Sequence, residues 1–546
     1  MRPIDRLTSL PLIAVPLALA LLAGCGGERD ATTSTEPAGP PSPEQRAPVI
    51  VIGVDGAEWD VIDELVDAGE LPGFQRMMDE GAWGHLLNPG PQVSPVVWTT
   101  FATGHFAREH GILDFVYPYR EGAKRPVDAS LRREPALWNL LDAHGGESTV
   151  IGYFVSHPAE RVAGRIVTDR AFRGLERSVW PESLEPVADR VRDGVQSDRD
   201  ALQNRFLPWD YAPEQAEDES SPYNLAARIV RGRIDRRILS EEFLRRMTEE
   251  LIAEPGDLFI TYFRLADIVS HSVWLYYDDS DFDEAPDRET DRLLEDIIPE
   301  SYRYVDEVVQ RILDEHGGSA NIVLISDHGF GSATGSYASS RELLSGNHRP
   351  NGVILAHGPD IAPGRVEHPT IMEVFPTLAY LLDLPVADTV PGTIEYSLLA
   401  ESFTSAHAPR YVDRYDVDWR PVAAQRVDEE TQAEEMESLR GLGYIGEGVE
   451  LTADDGEGGL DFWSAEPELV VRSLHGDVTY YLIQGDLQAA ARVTDELRSN
   501  APDLLSRLLT RVQSKIEAFR ADVPGGDDIA PRLDEYLARY RDDAAG

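Results

Sequence analysis

The stretch Ala47-Pro-Val-Ile-Val-Ile-Gly-Val-Asp-Gly56 constrains the fold more than any other part of this chain. It is a continuous apolar run, too short for a helix, and Gly56 halts it. Such a run reads as a strand buried on both faces, the kind that parallel sheets carry between layers of helices. Similar runs recur at Ser148 to Phe154, Asp257 to Phe263, Ala320 to Ile325 and Gly352 to Ala356, with helical patterns such as Ile371 to Leu382 between or after them. The expected fold is therefore α/β, a mostly parallel sheet sandwiched by helices. With 546 residues, 42% of them hydrophobic, the chain can bury a large core. Its 97 acidic and 50 basic side chains leave a formal net charge of −47, which excludes an electrostatic nucleic-acid binder. Only two of the basic residues are lysines, Lys124 and Lys515, so the positive charge is almost all arginine.

The N-terminus has its own logic. Arg2 and Arg6 precede an apolar run from Leu10 to Leu22 and then Ala23-Gly24-Cys25, the layout of a signal peptide over residues 1–24. Cys25, the only cysteine of the chain, follows small residues as in a bacterial lipobox, which predicts lipidation there. An ordinary cleaved signal with a chance cysteine is the alternative. Residues 25–46 are rich in Gly, Pro, Ser, Thr and Glu, as in a flexible tether. The chain is thus expected outside the cytoplasm, lipid-anchored to a membrane of the bacterial cell envelope.

Residues 47–400 read as the catalytic domain, with an insertion at about 173–251 covering the functional edge of the sheet. Residues 401–464 read as an acidic, irregular linker. Residues 465–546 show helical periodicity, including Tyr480-Tyr-Leu-Ile-Gln-Gly-Asp-Leu-Gln-Ala-Ala-Ala-Arg492, and resemble one tetratricopeptide-like helix pair. A single unit cannot build a solenoid, so a packing appendage is expected in preference to a protein-docking array.

Chemistry-bearing side chains sit where these strands end. Asp55 follows the first; Asp267 and His271, four residues apart and so on one side of a helical turn, follow the strand ending at Phe263; Asp327 and His328 follow the strand ending at Ile325. In open α/β sheets ligands gather beyond the carboxyl ends of the strands, so these residues should converge. His348, in Ser345-Gly-Asn-His-Arg-Pro350, is a fourth place. Singly, each is an ordinary cap, turn or structural residue. Together, carboxylates mixed with imidazoles suit zinc, or manganese as second choice, and the set is large enough for two ions. Ser94, before Pro95, is expected at a helix N-cap, where backbone N–H groups and the helix dipole favour a phosphate or an alkoxide.

At this point the chain resembles the alkaline phosphatase superfamily, in its type I phosphodiesterase and nucleotide pyrophosphatase branch. The resemblance rests on Pro91 to Ile112 with Thr103-Gly104 and His110-Gly111-Ile112, on Asp55-Gly56, on Asp267 and His271, and on Asp327-His328-Gly329, and it covers about residues 47–400. It implies that Ser94 is the nucleophile, that Asp55, Asp327, His328 and Ser94 surround one metal ion, and that Asp267, His271 and His348 surround another. His357 lies near His348 and is the alternative ligand, with His348 preferred for its glycine-led loop. The implied activity is metal-dependent hydrolysis of phosphate esters, phosphodiesters first, through a covalent phospho-serine; a phosphomonoesterase or a headgroup phosphotransferase is the runner-up. The family's phosphate-holding asparagine would fall at Phe115, so phosphate anchoring must differ. Ser94 is followed by Pro95-Val96-Val97-Trp98 and lacks the x-Pro-x-Arg of sulfatases. The aromatic run Phe115-Val-Tyr117-Pro-Tyr119-Arg120 lies where it can reach the crevice. A reading of another class is a non-catalytic, metal-stabilised envelope protein that docks a partner through its C-terminal helices.

Overall fold

β1 (Val49–Val54) lies in the middle of the sheet and is buried along its whole length. The structure is a computed structural model and describes residues 46–117, 124–206, 234–283, 293–334, 345–367, 369–425, 429–441, 445, 461–522 and 529–540. After β1 come β2 (Ala82–Leu87), β3 (Val116–Tyr117), β4 (Arg125–Pro126), β5 (Ser148–Ile151), β6 (Gly164–Val167), β7 (Val179–Trp180) and β8 (Leu258–Phe263). They are followed by β9 (Asn321–Ile325), β10 (Gly329–Ser332), β11 (Gly346–Arg349), β12 (Asn351–His357), β13 (Gly364–Arg365), β14 (Val386–Ala387) and β15 (Tyr411–Val412). The main sheet has nine strands in the order β13-β2-β12-β9-β1-β8-β5-β6-β7.

The strands β9, β1, β8, β5 and β6 run parallel. β12 is antiparallel to both its neighbours, β9 and β2, and β7 is antiparallel to β6. The expectation of a mostly parallel sheet holds, and each apolar run proposed as a strand is one. Both faces of the sheet are covered, because alternate residues of β1 serve two cores: Ile50, Ile52 and Val54 join one, Val49 and Val51 the other. Gly53 shows why the second face closes so tightly, since a Cβ there would lie 2.8 Å from the Trp98 ring. That contact seats the helix Ser94–Thr103 against β1.

The described parts of the segment expected as an insertion pack on the core of the sheet. The helix Glu185–Ser197 buries Ala188, Val191 and Val195, and these share a core with Phe243, Leu244 and Met247 of the helix Asp235–Leu251. The acidic segment 401–464 also differs from an irregular linker, because it contains the helix Glu429–Gly441, whose Met436 is fully buried.

The C-terminal helices Pro467–Gln484, Leu487–Asn500, Leu505–Asp522 and Ala530–Tyr540 share one apolar core with Val93, Val96 and Ile112 of the catalytic body. Two ion pairs tie the same surfaces: Arg108 Nε to buried Asp477 at 2.9 Å and Arg472 to Asp114 at 3.2 Å. Cys25, the signal segment and the tether as far as Gln45 lie outside the described residues. Among the described residues no helix is long and apolar enough to cross a membrane.

Candidate active site

Parallel register brings the strand ends together. Val54 of β1 pairs with Phe263 of β8, and Gly53 pairs with Ile325 of β9, so the residues just beyond these strands emerge at one edge. Gly56 makes the turn after Asp55 with φ +69°, and a Cβ there would lie 3.0 Å from the Asp267 backbone. Asp55 and Asp267 are locked by a backbone bond, Asp267 N–H to Asp55 O at 3.1 Å. The helix Leu265–Tyr277 presents Asp267 and His271 side by side, His271 Nε2 lying 3.4 Å from Asp267 Oδ1.

His348 comes to the cluster from a strand and not from a loop: β10 and β11 pair antiparallel, with His348 opposite Phe330. Its Nε2 is 3.2 Å from Asp267 Oδ1 and 2.9 Å from His271 Nε2. His328 Nε2 is 3.3 Å from Asp55 Oδ1, 3.4 Å from Asp327 Oδ2 and 3.9 Å from Asp267 Oδ1. Two ligand-like groups result, Asp267 with His271 and His348, and Asp55 with Asp267 and His328. Asp267 belongs to both, whereas the sequence assigned it to one.

The histidine tautomers follow from the backbone. A carbonyl can only accept, so His271 Nδ1 donates to Gly346 O at 3.2 Å, His328 Nδ1 to Gly329 O at 3.1 Å and His348 Nδ1 to Gln92 O at 3.4 Å. Each imidazole therefore turns Nε2 toward the carboxylates, as a metal-ligating histidine does.

The charges point the same way. Burial and the neighbouring Asp55 hold the Asp327 carboxyl well above the usual range. Burial and the nearby His328 push His348 down to about 4, leaving it a neutral nitrogen donor. Burial works to lower His328, but Asp327, Asp55 and Asp267 together push it up to about 10. Carboxylates crowded so that one must hold a proton are relieved by a divalent cation. Asp327 Oδ2 and His328 Nε2 are both buried without a hydrogen-bond partner, although they lie 3.4 Å apart. The donor set fits a divalent metal.

Ser94 is the first residue of its helix, one position later than the expected N-cap, which is Val93. No side-chain capping bond forms there, so the hydroxyl is not spent as a cap. Instead Ser94 Oγ faces Asp55 Oδ1 at 3.5 Å, and the residue is buried.

Several supporting residues had escaped the sequence reading. The Tyr262 hydroxyl donates to Asp55 Oδ2, and Asn88 Nδ2 donates to Asp327 O at 2.9 Å. Glu58 Oε2 accepts from Phe330 N–H at 2.7 Å, clipping the β1 turn to the His328 loop. Tyr262 was hinted at by its place in β8, one residue before the strand's end; Asn88 and Glu58 carry no sequence signal of their own. His110 packs inside, with Nε2 3.2 Å from Thr100 Oγ1 and Nδ1 accepting from Ile112 N–H, so that part of the motif is structural. His357 belongs to the opposite end of the sheet, beside Glu80 at 3.2 Å, and is no ligand.

A cavity of about 1000 Å³ opens from Asp55, lined by Phe115, Phe154 and Ile268 and by arginines, among them Arg170 and Arg264. Phe115 thus reaches the crevice, while residues 118–123, including Tyr119 and Arg120, lie outside the described residues.

Such a layout sets a buried serine hydroxyl beside a carboxylate–imidazole set able to hold a divalent metal. The model of the type I phosphodiesterase / nucleotide pyrophosphatase family matches residues 49–347, more than half of the chain, and the chain belongs to that family. No curated protein matches it in sequence. Among solved structures, an inactive murine ectonucleotide pyrophosphatase / phosphodiesterase 5 in complex with AMP is 14% identical over 65% of this chain and 100% of that one, with a TM-score of 0.37. Phosphonoacetate hydrolase from Sinorhizobium meliloti 1021, in complex with phosphonoformate, is 15% identical over 53% of this chain and 58% of that one, TM-score 0.30. A mutant of alkaline phosphatase PafA is 11% identical over 66% of this chain and 100% of that one, TM-score 0.40.

Proposed function

We propose that the chain hydrolyses phosphodiesters through a covalent intermediate on Ser94. The observation that carries this reading is the Ser94 hydroxyl itself: buried at a helix N-terminus, unspent as a cap, and facing Asp55 inside the carboxylate–imidazole cluster. Asp55, Asp327 and His328 with Ser94, and Asp267, His271 and His348, would hold two divalent ions, zinc before manganese. Bound there, the ions would lower the pKa of the serine hydroxyl and neutralise charge on phosphate oxygens.

The protein's own part is as follows. Ser94 Oγ gives up its proton, for which Asp55 Oδ1 is the facing acceptor, and forms a bond to phosphorus as the bond to the leaving oxygen breaks. The leaving oxygen takes a proton. The positive end of the dipole of the helix Ser94–Thr103 favours the phosphate throughout. Water then adds to phosphorus, the bond to Oγ breaks, and Ser94 regains its proton. Tyr262 holds the Asp55 carboxylate in orientation, and the carbonyls of Gly346, Gly329 and Gln92 hold the three imidazoles.

The same reading makes the chain an envelope lipoprotein anchored through Cys25. Incorporation of labelled palmitate should disappear in Cys25→Ala. For the chemistry, Ser94→Ala should lower turnover of a chromogenic diester by about 10⁴-fold or more with metal content unchanged. Full activity in that variant would remove Ser94 as the nucleophile. Stoichiometric metal with no hydrolysis of any ester, together with a partner lost when residues after 465 are deleted, would favour the docking alternative.

A further inference from the structure

The cavity that opens from Asp55 has a charge opposite to that of the molecule. Its wall contains seven arginines, against four carboxylates other than Asp55. In a chain of net charge −47 such a concave, arginine-rich lining runs against the composition. The arginines come from separate segments that have no local reason to meet. Arg264 directly follows β8, and Arg170 and Arg173 flank a short turn after β6. Arg236 and Arg237 begin the helix Asp235–Leu251, Arg199 begins the helix Arg199–Phe206, and Arg440 ends the helix Glu429–Gly441.

Part of this charge is balanced internally. Arg170 pairs with Glu435 at 2.9 Å and donates to Val127 O at 2.7 Å. Arg264 lies 3.6 Å from Glu241 Oε1, beyond hydrogen-bond reach, and stacks over the Phe154 ring at 5.3 Å. Its Nε is buried without a hydrogen-bond partner. Arg440 pairs with Glu437 at 3.5 Å. With the Arg170–Glu435 and Arg440–Glu437 pairs set aside, and Glu241 counted behind Arg264, arginines still outnumber carboxylates on the wall. The lining also includes Phe115, Phe154, Phe172 and Ile268, apolar surface along which a carbon chain can lie.

We infer that this cavity is a subsite for a second anionic group of the substrate: the diester cleaved at Ser94 carries, on the alcohol that stays bound to phosphorus, a further phosphate or carboxylate that the arginine wall binds. The inference rests on the hydrolase reading above and deepens it. Arginine forks match both anions, and a cationic concave wall in an otherwise negative molecule focuses the field on such a group.

The test uses the full chain with its metals and two chromogenic diesters that share a nitrophenyl leaving group, one with an ethyl tail and one with a phosphopropyl tail. The wild-type protein should favour the phosphopropyl ester by about tenfold in kcat/KM, through a lower KM that rises more steeply with salt. The double variant Arg236→Glu, Arg237→Glu should lower that ratio by about tenfold or more. A wild-type ratio near one, or a ratio unchanged in a folded variant, overturns the inference. Should the variant fail to unfold cooperatively, the wild-type ratio and its salt dependence decide alone. Cleavage of the ethyl ester that is lost in Ser94→Ala, with a ratio near one, leaves the hydrolase reading standing and this inference refuted. If neither ester is cleaved, the hydrolase reading fails and takes the inference with it.

Discussion

The strand-end cluster and the arginine cavity meet at Asp55 but are held in different ways. In the cluster, Asp55, Asp267, Asp327 and His328 are almost wholly buried, and backbone bonds between neighbouring strands and turns fix where they lie. The cavity wall hangs from helix ends and a turn, and its arginines include the exposed Arg236. The cluster concentrates negative charge and calls for a cation; the wall concentrates positive charge and suits an anion. The difference teaches that the sheet sets the reaction and the surrounding helices set what is brought to it.

Substitutions on the two sides should therefore fail differently. After Ser94→Ala, Asp327→Asn should show the largest effect, a loss of kcat on the order of a thousandfold together with metal content, and chelation of the wild-type protein should reproduce it until zinc is returned. Metal analysis beside the kinetics checks this, and an active, metal-free Asp327→Asn would break the contrast. Tyr262→Phe should cost about 10–100-fold in kcat or metal affinity, because the hydroxyl only orients Asp55. On the other side Arg264→Gln should raise KM by about tenfold and leave the metal content intact. Loss of metal in that variant would mean that the wall supports the cluster.

Much of the cluster was legible because it obeys one rule. A buried parallel strand ends, and the next residue faces the crevice, so Asp55, Asp327 and His328 could be assigned from the apolar runs alone, and Asp267 with His271 from helical spacing. His348 is placed by the antiparallel pairing of β11 with β10, which sets it opposite Phe330 and which no local pattern announces. Ser94 was legible as a helix start, but its freedom from capping was not, since that depends on where Asp55 lies. The cavity wall was illegible for a physical reason: its arginines sit in segments that share no period, and one comes from the helix Glu429–Gly441, whose many charges hide the buried Met436. The seat of the C-terminal helices was equally hidden, because pairs such as Arg108 with Asp477 join residues far apart in sequence.

That seat gives the smallest predicted effect and sharpens the contrast from outside the crevice. Burial pushes the Asp477 carboxyl up to about 7 even though Arg108 opposes it. The folded state then holds a proton that the unfolded state loses from about pH 4 upward, so this group makes stability fall as pH rises toward 7 and level off above it. Urea unfolding from pH 5 to 8 should show that fall in stability, and Asp477→Asn should remove about 1–3 kcal/mol of it. An unchanged slope would place the proton elsewhere.

The central claim is that Ser94 forms a bond to phosphorus. Acid quench of the metal-loaded protein during turnover of a diester, followed by peptide mass spectrometry, tests it directly. The account predicts a phosphoryl-ester adduct on the peptide carrying Ser94, absent in Ser94→Ala. Steady turnover with no adduct at any quench time, and with the Ser94→Ala variant equally active, would contradict it.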